Sequence, residues 1–538
     1  MIKHIKLNII LLTILINTNI LFSQVQQEWT ARYSGLGNSI DGGSSVLIDN
    51  ANNVIVGGSS SNSMNNDYTI IKYEASGVQK WLATYNGTGN GHDILNSMIL
   101  DDSGNVYVTG SSIGVATSQD FATVKFNNLG IQQWVVRFTS SGTQDDAGYR
   151  IALDKLGNIY VSGESYNNVT LGRDYCTIKY NSYGILQWIR QYSGGIVYDL
   201  IIDDSSNVYI TGGNLNDIIT IKYNSSGTQK WVSRYNGQMN QDDFALSIGI
   251  DSLLNVYVSG SSVENTNIYG GYVIVKYNSL GNEQWVRFYE GSGNFLDVAR
   301  AMKVDKSGNA YVTGYSTESG QGYNMTTIKY NTYGDTLWSA SYHNGLNDIA
   351  NAITLDIDGN IYVTGESDGN GIVSDYTTIK YNSLGKQQWV KRYDYSGQYG
   401  DVPTAIIVDN IRNVYVTGSS NRDFLTIKYS QLTGATINLS EIPSNYKLFQ
   451  NYPNPFNPTT NLGFEIFPKG QLRGELTLVT LKVYDVLGNE VAVLVNEKKN
   501  VGSYSIKFDG NNLTSGIYFY SLSIDGNIMD TKRMILLK

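Results

Sequence analysis

Few residues of this 538-residue chain belong to the types that perform acid–base or metal chemistry. It has three histidines and a single cysteine, Cys176. His92 and His343 share no spacing with serine and aspartate that would indicate a catalytic triad. The chain also lacks a Gly-rich phosphate loop, a paired-cysteine motif and a His-Glu-x-x-His segment. The sequence therefore predicts no catalytic residue and favours a non-enzymatic role, although it does not decide the question.

Aspartates recur at a fixed place, eight positions before a second aspartate that opens a turn. One carboxylate per repeat could form an acidic ring at one mouth of a channel and hold a cation such as Ca²⁺. Alternatively, each carboxylate accepts hydrogen bonds from backbone amides at the start of a strand. Calcium is the only cofactor that this pattern suggests. The residues concerned are Asp41, Asp93, Asp146, Asp243, Asp297, Asp348 and Asp401.

A second group of residues departs from the repeated pattern. Four positions before the turn aspartate most units carry Ser or Ala, but two adjacent units carry Arg150 and Asp199. The preceding position varies freely and is Thr404 in the last unit. Residues that differ between equivalent repeats are not dictated by the scaffold, so they could form a ligand site; drift between repeats is the alternative. The candidate site, facing the channel, consists of Tyr149, Arg150, Tyr198, Asp199, Arg300 and Asn351.

The elements that position these residues form a repeat of about 50 residues. Its tryptophans are Trp29, Trp81, Trp134, Trp188, Trp231, Trp285, Trp338 and Trp389, and these are all of the tryptophans in the chain. Each unit contains four short β-rich runs bounded by Gly, Asn, Ser and Asp, which predicts a four-stranded antiparallel blade. We therefore predict an all-β propeller of eight blades, with seven as the alternative. The first Trp strand precedes any inner strand, so it should complete the last blade.

The repeat resembles the bacterial β-propeller repeat family (SBBP type). Asn105-Val-Tyr-Val-Thr-Gly110 followed by Val124-Lys-Phe126 matches the family pattern, and so does Asn360-Ile-Tyr-Val-Thr-Gly365 with Ile379-Lys-Tyr381. The resemblance implies the propeller fold over residues 24–430. It implies no activity.

The N-terminus indicates export. Lys3, His4 and Lys6 precede an apolar run, which predicts a signal peptide over residues 1–23. No other stretch is long enough to span a bilayer as a helix, so we expect no membrane-spanning segment in the mature chain. The net charge of −9 argues against a nucleic-acid partner, which would require a basic patch. We expect Cys176 to be a buried residue of the scaffold.

The composition changes after the last repeat, because five of the six prolines lie between Pro443 and Pro468. Residues 446–538 resemble a type A sorting domain of the type IX secretion system, with residues 431–445 as linker. The resemblance implies a small immunoglobulin-like β-sandwich, recognition by the type IX machinery, and delivery to the cell surface or the medium. Matching residues are Asn451, Pro453, Asn454, Pro455, Phe456, Asn457, Pro458, Tyr484, Asp485, Gly488, Gly516, Tyr518 and Lys538.

These observations support one main hypothesis and two alternatives. The main hypothesis is an exported, non-catalytic propeller that binds a glycan or a protein at the surface. The first alternative is an extracellular polysaccharide hydrolase or lyase, since propellers also host enzymes. The second is a passive structural or adhesive module of the envelope. The sequence does not name the ligand.

Overall fold

A computed structural model describes the chain over residues 25–36, 40–140, 144–214, 216–264, 269–293, 295–320, 322–369, 373–395, 397–431, 446–451, 453–466, 477–499, 502–524 and 527–538. The predicted signal peptide and nearly all of the predicted linker lie outside these residues. The chain forms two compact units, Met1–Gly434 and Ala435–Lys538.

Unit 1 consists of strands. They are β1 (Val25–Tyr33), β2 (Gly42–Ile48), β3 (Val54–Ser61), β4 (Asn66–Tyr73), β5 (Gln79–Tyr85), β6 (Asp93–Leu100), β7 (Val106–Ile113), β8 (Gln119–Phe126), β9 (Gln132–Phe138), β10 (Ala147–Leu153), β11 (Ile159–Asn167), β12 (Gly172–Tyr180), β13 (Leu186–Tyr192), β14 (Ile196–Ile202), β15 (Val208–Asn214) and β16 (Asp217–Tyr223). They continue with β17 (Gln229–Tyr235), β18 (Phe244–Ile250), β19 (Val256–Ser262), β20 (Gly271–Tyr277), β21 (Glu283–Tyr289), β22 (Val298–Val304), β23 (Ala310–Thr317), β24 (Tyr323–Tyr330), β25 (Thr336–Tyr342), β26 (Asp348–Leu355), β27 (Ile361–Ser367), β28 (Asp375–Tyr381), β29 (Gln387–Tyr393), β30 (Asp401–Val408), β31 (Val414–Ser420) and β32 (Asp423–Gln431).

Within the described residues, these strands form eight four-stranded antiparallel sheets arranged as the blades of a propeller. Blades 1 to 7 are consecutive sets of four strands, from β2–β5 to β26–β29, and blade 8 has the order β1-β32-β31-β30. The inner strands β2, β6, β10, β14, β18, β22, β26 and β30 contact one another in sequence, and β30 contacts β2. The prediction of eight blades is confirmed.

The first strand closes the ring, as its position before any inner strand predicted. β1 pairs antiparallel with β32, so that Val25 lies opposite Gln431 and Tyr33 opposite Phe424. The first and last strands of unit 1, about 400 residues apart, are thereby joined in one sheet, which removes a long unpaired edge.

The tryptophans hold neighbouring blades together. Trp29 Nε1 donates a hydrogen bond to the carbonyl of Ala75 at 3.0 Å, and Trp231 Nε1 donates to Ser279 at 3.2 Å. The ring of Trp29 also covers Gly77, which has a φ of +89° and whose Cβ, if it had one, would lie 2.8 Å from the indole. A side chain at this turn would meet the tryptophan, so the Gly and the Trp depend on each other.

The repeated acidic turns are stabilised from within. In blade 3, Asp154 accepts hydrogen bonds from the amide of Asn158 (2.8 Å), from Asn158 Nδ2 (2.8 Å) and from the Tyr160 hydroxyl (3.1 Å). Burial alone would raise the pKa of Asp154, but these hydrogen bonds hold it below its usual value. The turn aspartates therefore act as caps for the hairpins that join the first and second strands.

Unit 2 contains two sheets over a common core. Its strands are β33 (Tyr446–Leu448), β34 (Thr459–Ile466), β35 (Thr477–Tyr484), β36 (Glu490–Lys499), β37 (Gly502–Asp509), β38 (Gly516–Ile524) and β39 (Asn527–Leu536). The sheets have the orders β33-β34-β37 and β36-β35-β38-β39. Phe464 and Phe508 of one sheet and Tyr520 and Met534 of the other lie in the same buried cluster. This arrangement is a small β-sandwich.

Candidate functional site

The inner strands share a backbone feature that the sequence did not reveal. Within the described residues, the pairing of every inner strand with its second strand shifts by one residue, which is the mark of a β-bulge. The residue skipped by the ladder is Ser44, Asn96, Tyr149, Tyr198, Leu246, Arg300, Asn351 and Thr404 in blades 1 to 8 respectively. Because a bulged residue has no ladder partner, its side chain is free of the constraint that the scaffold places on its neighbours.

In four successive blades, 7, 8, 1 and 2, the bulge side chain fastens one blade to the next. Each donates a hydrogen bond to the backbone carbonyl that precedes the bulge of the following blade. The bonds run from Asn351 Nδ2 to Pro403 (2.9 Å), from Thr404 Oγ1 to Gly43 (2.5 Å), from Ser44 Oγ to Leu95 (2.9 Å) and from Asn96 Nδ2 to Gly148 (2.9 Å). We call these blades the latched arc.

Blades 3 to 6 form the open arc, in which the bulge residues are larger. They are Tyr149, Tyr198, Leu246 and Arg300, and within the described part of the chain none donates to the backbone of the next blade. A cavity of about 530 Å³ lies against them. Its lining consists of Asn96, Tyr149, Arg150, Tyr198, Leu246, Arg300 and Asn351.

The two charged departures from the repeat lie against each other. Arg150 Nε is 3.1 Å from Asp199 Oδ1, which joins blade 3 to blade 4. The other oxygen of Asp199 accepts a hydrogen bond from the amide of Ile248 in blade 5 at 2.9 Å. Asp199 is therefore turned toward its neighbours and does not line the cavity, whereas Arg150 does. Of the six residues of the predicted ligand site, the structure brings five together around one cavity and places the sixth behind them.

Arg300 reaches across to the latched arc. Its Nη1 donates a hydrogen bond to Asn351 Oδ1, and its guanidinium lies 5.2 Å from the ring centroid of Tyr315. The Arg300 side chain is nevertheless exposed, so it remains accessible from the cavity. Burial raises the pKa of Tyr149 further above neutral pH, where a tyrosine hydroxyl already keeps its proton.

The seven recurring aspartates of the predicted acidic ring lie in seven of the eight blades, one in each, and each is at most 1% exposed. Asp297 shows their arrangement, because its oxygens accept hydrogen bonds from the amides of Gly291 and Thr317, both at 2.6 Å. Asp41, Asp93, Asp146 and Asp243 accept bonds from two backbone amides in the same way, and Asp348 and Asp401 from one. These are the contacts that the capping alternative requires. Burial raises the pKa of Asp93, Asp146, Asp243, Asp297 and Asp401.

Among the described residues, three carboxylates approach closely enough to share an ion at Asp375, Asp394 and Asp401. Only Asp401 belongs to the predicted ring. Asp375 is already bound to Arg392 at 2.5 Å, so a guanidinium occupies one side of this group. The calcium hypothesis for the recurring aspartates stays a prediction.

Sequence reasoning did not include Asn96 and Leu246 in the site. Their position in the repeat could have identified them. The residue just before the position that holds Ser, Ala, Arg or Asp varies from unit to unit more than any strand position around it.

Among the predicted sorting residues, the Asn-Pro segment lies against the last strand of unit 2. Asn451 is buried, where its amide donates to the Tyr520 hydroxyl at 2.8 Å. Phe456 is buried between the last strand and the core and exchanges backbone hydrogen bonds with Ile535 and Leu537. Pro453, Asn454, Pro455, Asn457 and Lys538 are exposed. The Asn-Pro segment is thus fixed against the C-terminal strand while its polar side faces outward.

The comparisons with known proteins agree with both units. Residues 450–537 match the family model "Secretion system C-terminal sorting domain", and residues 133–169 and 344–372 match the model "Beta-propeller repeat". An uncharacterized WD repeat-containing protein of Acanthamoeba polyphaga mimivirus is 24% identical, with 75% of this chain and 32% of that protein covered. The chain thus spans about a third of the length of this curated relative.

Three solved structures show a likeness in fold. The Dos1 propeller gives a TM-score of 0.47 at 10% identity and covers 76% of this chain and 96% of its own. A fungal alcohol oxidase in complex with copper gives 0.42 at 10% identity, covering 96% and 100%. The β-propeller domain of the Trilobed protease from Pyrococcus furiosus gives 0.39 at 11% identity, covering 64% and 96%.

The fold and the C-terminal domain together define a propeller protein with a sorting tail. Two segments of the propeller match the Beta-propeller repeat family, and the C-terminal unit matches a secretion-system C-terminal sorting domain, which supports the resemblance stated from the sequence. The sorting domain indicates export to the cell surface or the extracellular space and implies the secretion machinery as a partner. In the described residues there is no helix that is long and apolar enough to span a membrane.

Proposed function

We propose that this exported propeller binds a glycan in the cavity of the open arc. The observation that carries the proposal is the contrast between the two arcs. The latched arc uses its bulge side chains to bond the scaffold, while the open arc leaves two tyrosines, a leucine and an arginine facing a cavity. A volume of about 530 Å³ falls within the ~300–1,000 Å³ typical of small-molecule sites.

The chemistry of the lining favours a sugar, and an acidic sugar in particular. The rings of Tyr149 and Tyr198 can pack against sugar faces, and the amides of Asn96 and Asn351 can hydrogen-bond hydroxyl groups. Two arginines line the cavity, and none of its lining residues in the described chain carries a carboxylate. Asp199 pairs directly with Arg150, whereas Arg300 has a neutral amide as its hydrogen-bond partner and only the nearby Glu366 as a carboxylate neighbour. Arginine binds carboxylate through paired hydrogen bonds, so a uronate-containing chain fits better than a neutral one.

Isothermal titration of the full chain with uronate, sulfated and neutral oligosaccharides tests the proposal. We expect saturable binding that is strongest for the uronates and falls about tenfold or more in Tyr198→Ala and in Arg300→Ala. The matched control is Tyr183→Ala, because this tyrosine is 79% exposed on a turn outside the cavity. Equal loss of affinity in Tyr183→Ala, or no binding to any member of the panel, would contradict a glycan site. In the second case capture of a surface protein becomes the leading alternative, followed by a passive envelope role.

A lyase is the second candidate, because a tyrosine hydroxyl beside an arginine can take the proton next to a uronate carboxylate. The raised pKa of Tyr149 works against it, since a neutral phenol is a poor base at neutral pH. A hydrolase is less favoured, because it would need two carboxylates within roughly 5–10 Å of each other. Following the formation of unsaturated product in ultraviolet light, with the oligosaccharide that binds best, separates an enzyme from a binding protein.

A further inference from the structure

An arginine–aspartate pair recurs near the rim of the propeller, outside the channel. Three positions after the tryptophan, four blades carry an arginine whose guanidinium binds the aspartate near the start of the third strand. In the described residues these pairs are Arg32–Asp423 (2.9 Å), Arg137–Asp120 (2.8 Å), Arg234–Asp217 and Arg392–Asp375 (2.5 Å).

The guanidinium fills a defined space between two strands. In blade 2, Arg137 donates from Nη1 to Ser112 Oγ and from Nη2 to the Ser112 carbonyl, both at 2.6 Å. Ser112 lies directly opposite Asp120 in the ladder, so both side chains project on the same face. In blade 8, Arg32 likewise donates to the Ser420 hydroxyl at 2.7 Å. A serine, an aspartate and the cation between them thus form one repeated unit.

Blade 1 has the serine and the aspartate but not the arginine. Ser60 lies opposite Asp67, as Ser112 lies opposite Asp120, and Thr84 stands at the arginine position. Ser60 is 4% exposed and Asp67 is 8% exposed. Ser60 Oγ and Asp67 Oδ1 have no hydrogen-bond partner among the described residues. A buried carboxylate with only a neutral partner, here Asn62 Nδ2 at 2.8 Å, is costly without a cation.

Other blades that lack the arginine compensate for it. In blade 3, Gln191 stands in its place and donates to the hydroxyl of Ser165 at 2.8 Å. In blade 5, Phe288 stands there and the aspartate is replaced by Gly271, whose Cβ, if present, would lie 2.6 Å from the phenylalanine ring. The residues around this slot therefore change together from blade to blade.

Blade 1 itself shows such compensation elsewhere. It has Ile55 where other blades have the tyrosine that bonds the turn aspartate, and there Lys72 binds Asp49 at 2.8 Å instead. If the sequence of blade 1 had simply drifted, we would not expect the lost tyrosine hydrogen bond to be replaced by an ion pair. The slot between Ser60 and Asp67 is therefore a specific feature of blade 1.

Further oxygen atoms lie in the same hairpin. Asn65, 4% exposed, and Asn66 follow the β3 end and precede Asp67, and the Oδ1 atoms of both are buried with no partner in the described chain. The candidate ligands are carboxylate, amide and hydroxyl oxygens. Such an all-oxygen set suits hard cations such as Ca²⁺ better than transition metals.

We propose that blade 1 binds a hard divalent cation, with Ca²⁺ as the best match, between Ser60 and Asp67 in the space that a guanidinium fills in blades 2 and 8. The ion joins the β3–β4 hairpin to the neighbouring loop before β6, where Asn65 Nδ2 already donates to the Asn90 carbonyl at 2.6 Å. The site is separate from the channel cavity, so its existence does not depend on the glycan proposal.

The test uses the full chain, freed of metal by chelation, and Ca²⁺ alone as the probe. We expect millimolar or lower Ca²⁺ to raise Tm saturably by about one to a few degrees, as for ligands that bind only the folded state. Thr84→Arg supplies the cation internally, so this variant should melt higher than the wild type in chelator and lose the Ca²⁺ response. Asp67→Asn should also lose the response.

The reciprocal variant is Arg137→Thr, which gives blade 2 the residues of blade 1. It should lower Tm in chelator and enlarge the Ca²⁺-dependent rise, because a second slot then needs an ion. A wild type with no Ca²⁺ response overturns the proposal. So does a response that persists in full in both Thr84→Arg and Asp67→Asn, because the ion would then bind elsewhere.

Discussion

The latched and open arcs have the same backbone, with a bulge at the same place in each inner strand, but they use the bulge side chain in opposite ways. In the latched arc, Asn96 and its equivalents bond the carbonyl of the next blade, so the polar group serves the ring. In the open arc, Tyr149, Tyr198 and Leu246 make no such bond to any described residue, and their surfaces line a cavity. A bulge therefore gives a propeller one position per blade that can change without disturbing the ladder.

Other departures from the repeat lie in the same arc. Blade 4 has Gly195, with a φ of +110°, where the other blades have the recurring aspartate of the predicted acidic ring. The connection from Tyr192 to Ile196 that enters this blade is short, and so is the turn from Asn214 to Asp217; together they account for the shortened tryptophan spacing. With Arg150 and Asp199, these changes make blades 3 and 4 the least regular part of the ring. Irregularity and the cavity coincide, as expected where scaffold constraints are relaxed for a site.

Removal of one of the recurring buried aspartates from the latched arc should have the largest effect on stability. Asp93→Ala leaves the amides of Gly87 and Ile113 without an acceptor in a buried place. We expect the free energy of unfolding to fall by about 3 kcal/mol or more. Chemical denaturation at neutral pH measures it, with Asp102→Ala as a matched control on an exposed turn that should change stability by less than about 0.5 kcal/mol. A loss below about 1 kcal/mol for Asp93→Ala would show that the ring does not depend on its caps.

The same carboxylate predicts a pH dependence. Burial raises the pKa of Asp93 above 3.8, so the folded state holds this proton more tightly than the unfolded state. Its contribution to stability is therefore largest below pH 3.8 and declines as the pH rises through the folded pKa. Asp93→Ala lacks this titration, so the difference in stability between wild type and variant should shrink from about pH 4 upward and then level off. A difference that grows over this range would contradict the raised pKa.

The sequence predicted the regular part of this molecule better than the irregular part. Periodic tryptophans predicted the blades and the closing strand at Trp29, because each blade must repeat the same packing. The residues of the candidate site could be predicted from the sequence only in part. Arg150 and Asp199 stood out by type, but their ion pair depends on how two neighbouring strands align after their bulges. Asn96 and Leu246 did not stand out, because their distinction is geometrical and not chemical.

A smaller effect should come from the latch alone. Asn96→Ala removes the 2.9 Å hydrogen bond to the Gly148 carbonyl at the border between the arcs. We expect a loss of about 1 kcal/mol in stability, typical of one hydrogen bond. Thr404→Ala, in the middle of the latched arc, should cost a similar amount. If both substitutions leave stability unchanged, the bonds of the latched arc are incidental, and the contrast between the arcs lies only in side-chain size.

The sharpest test converts one arc into the other. Arg300→Asn places in blade 6 the residue that latches blade 7, with the Ala350 carbonyl, which precedes the next bulge, as its acceptor. We expect stability to rise slightly, by about 0.5 kcal/mol, while uronate affinity falls about tenfold, as in Arg300→Ala. Arg300→Ala should show the same loss of affinity without the gain. Opposite changes in stability and binding from this substitution would mean that the bulge of blade 6 serves the ligand at the expense of the ring. Stability that falls in Arg300→Asn would instead show that the open arc is shaped by packing and is not a latch left undone.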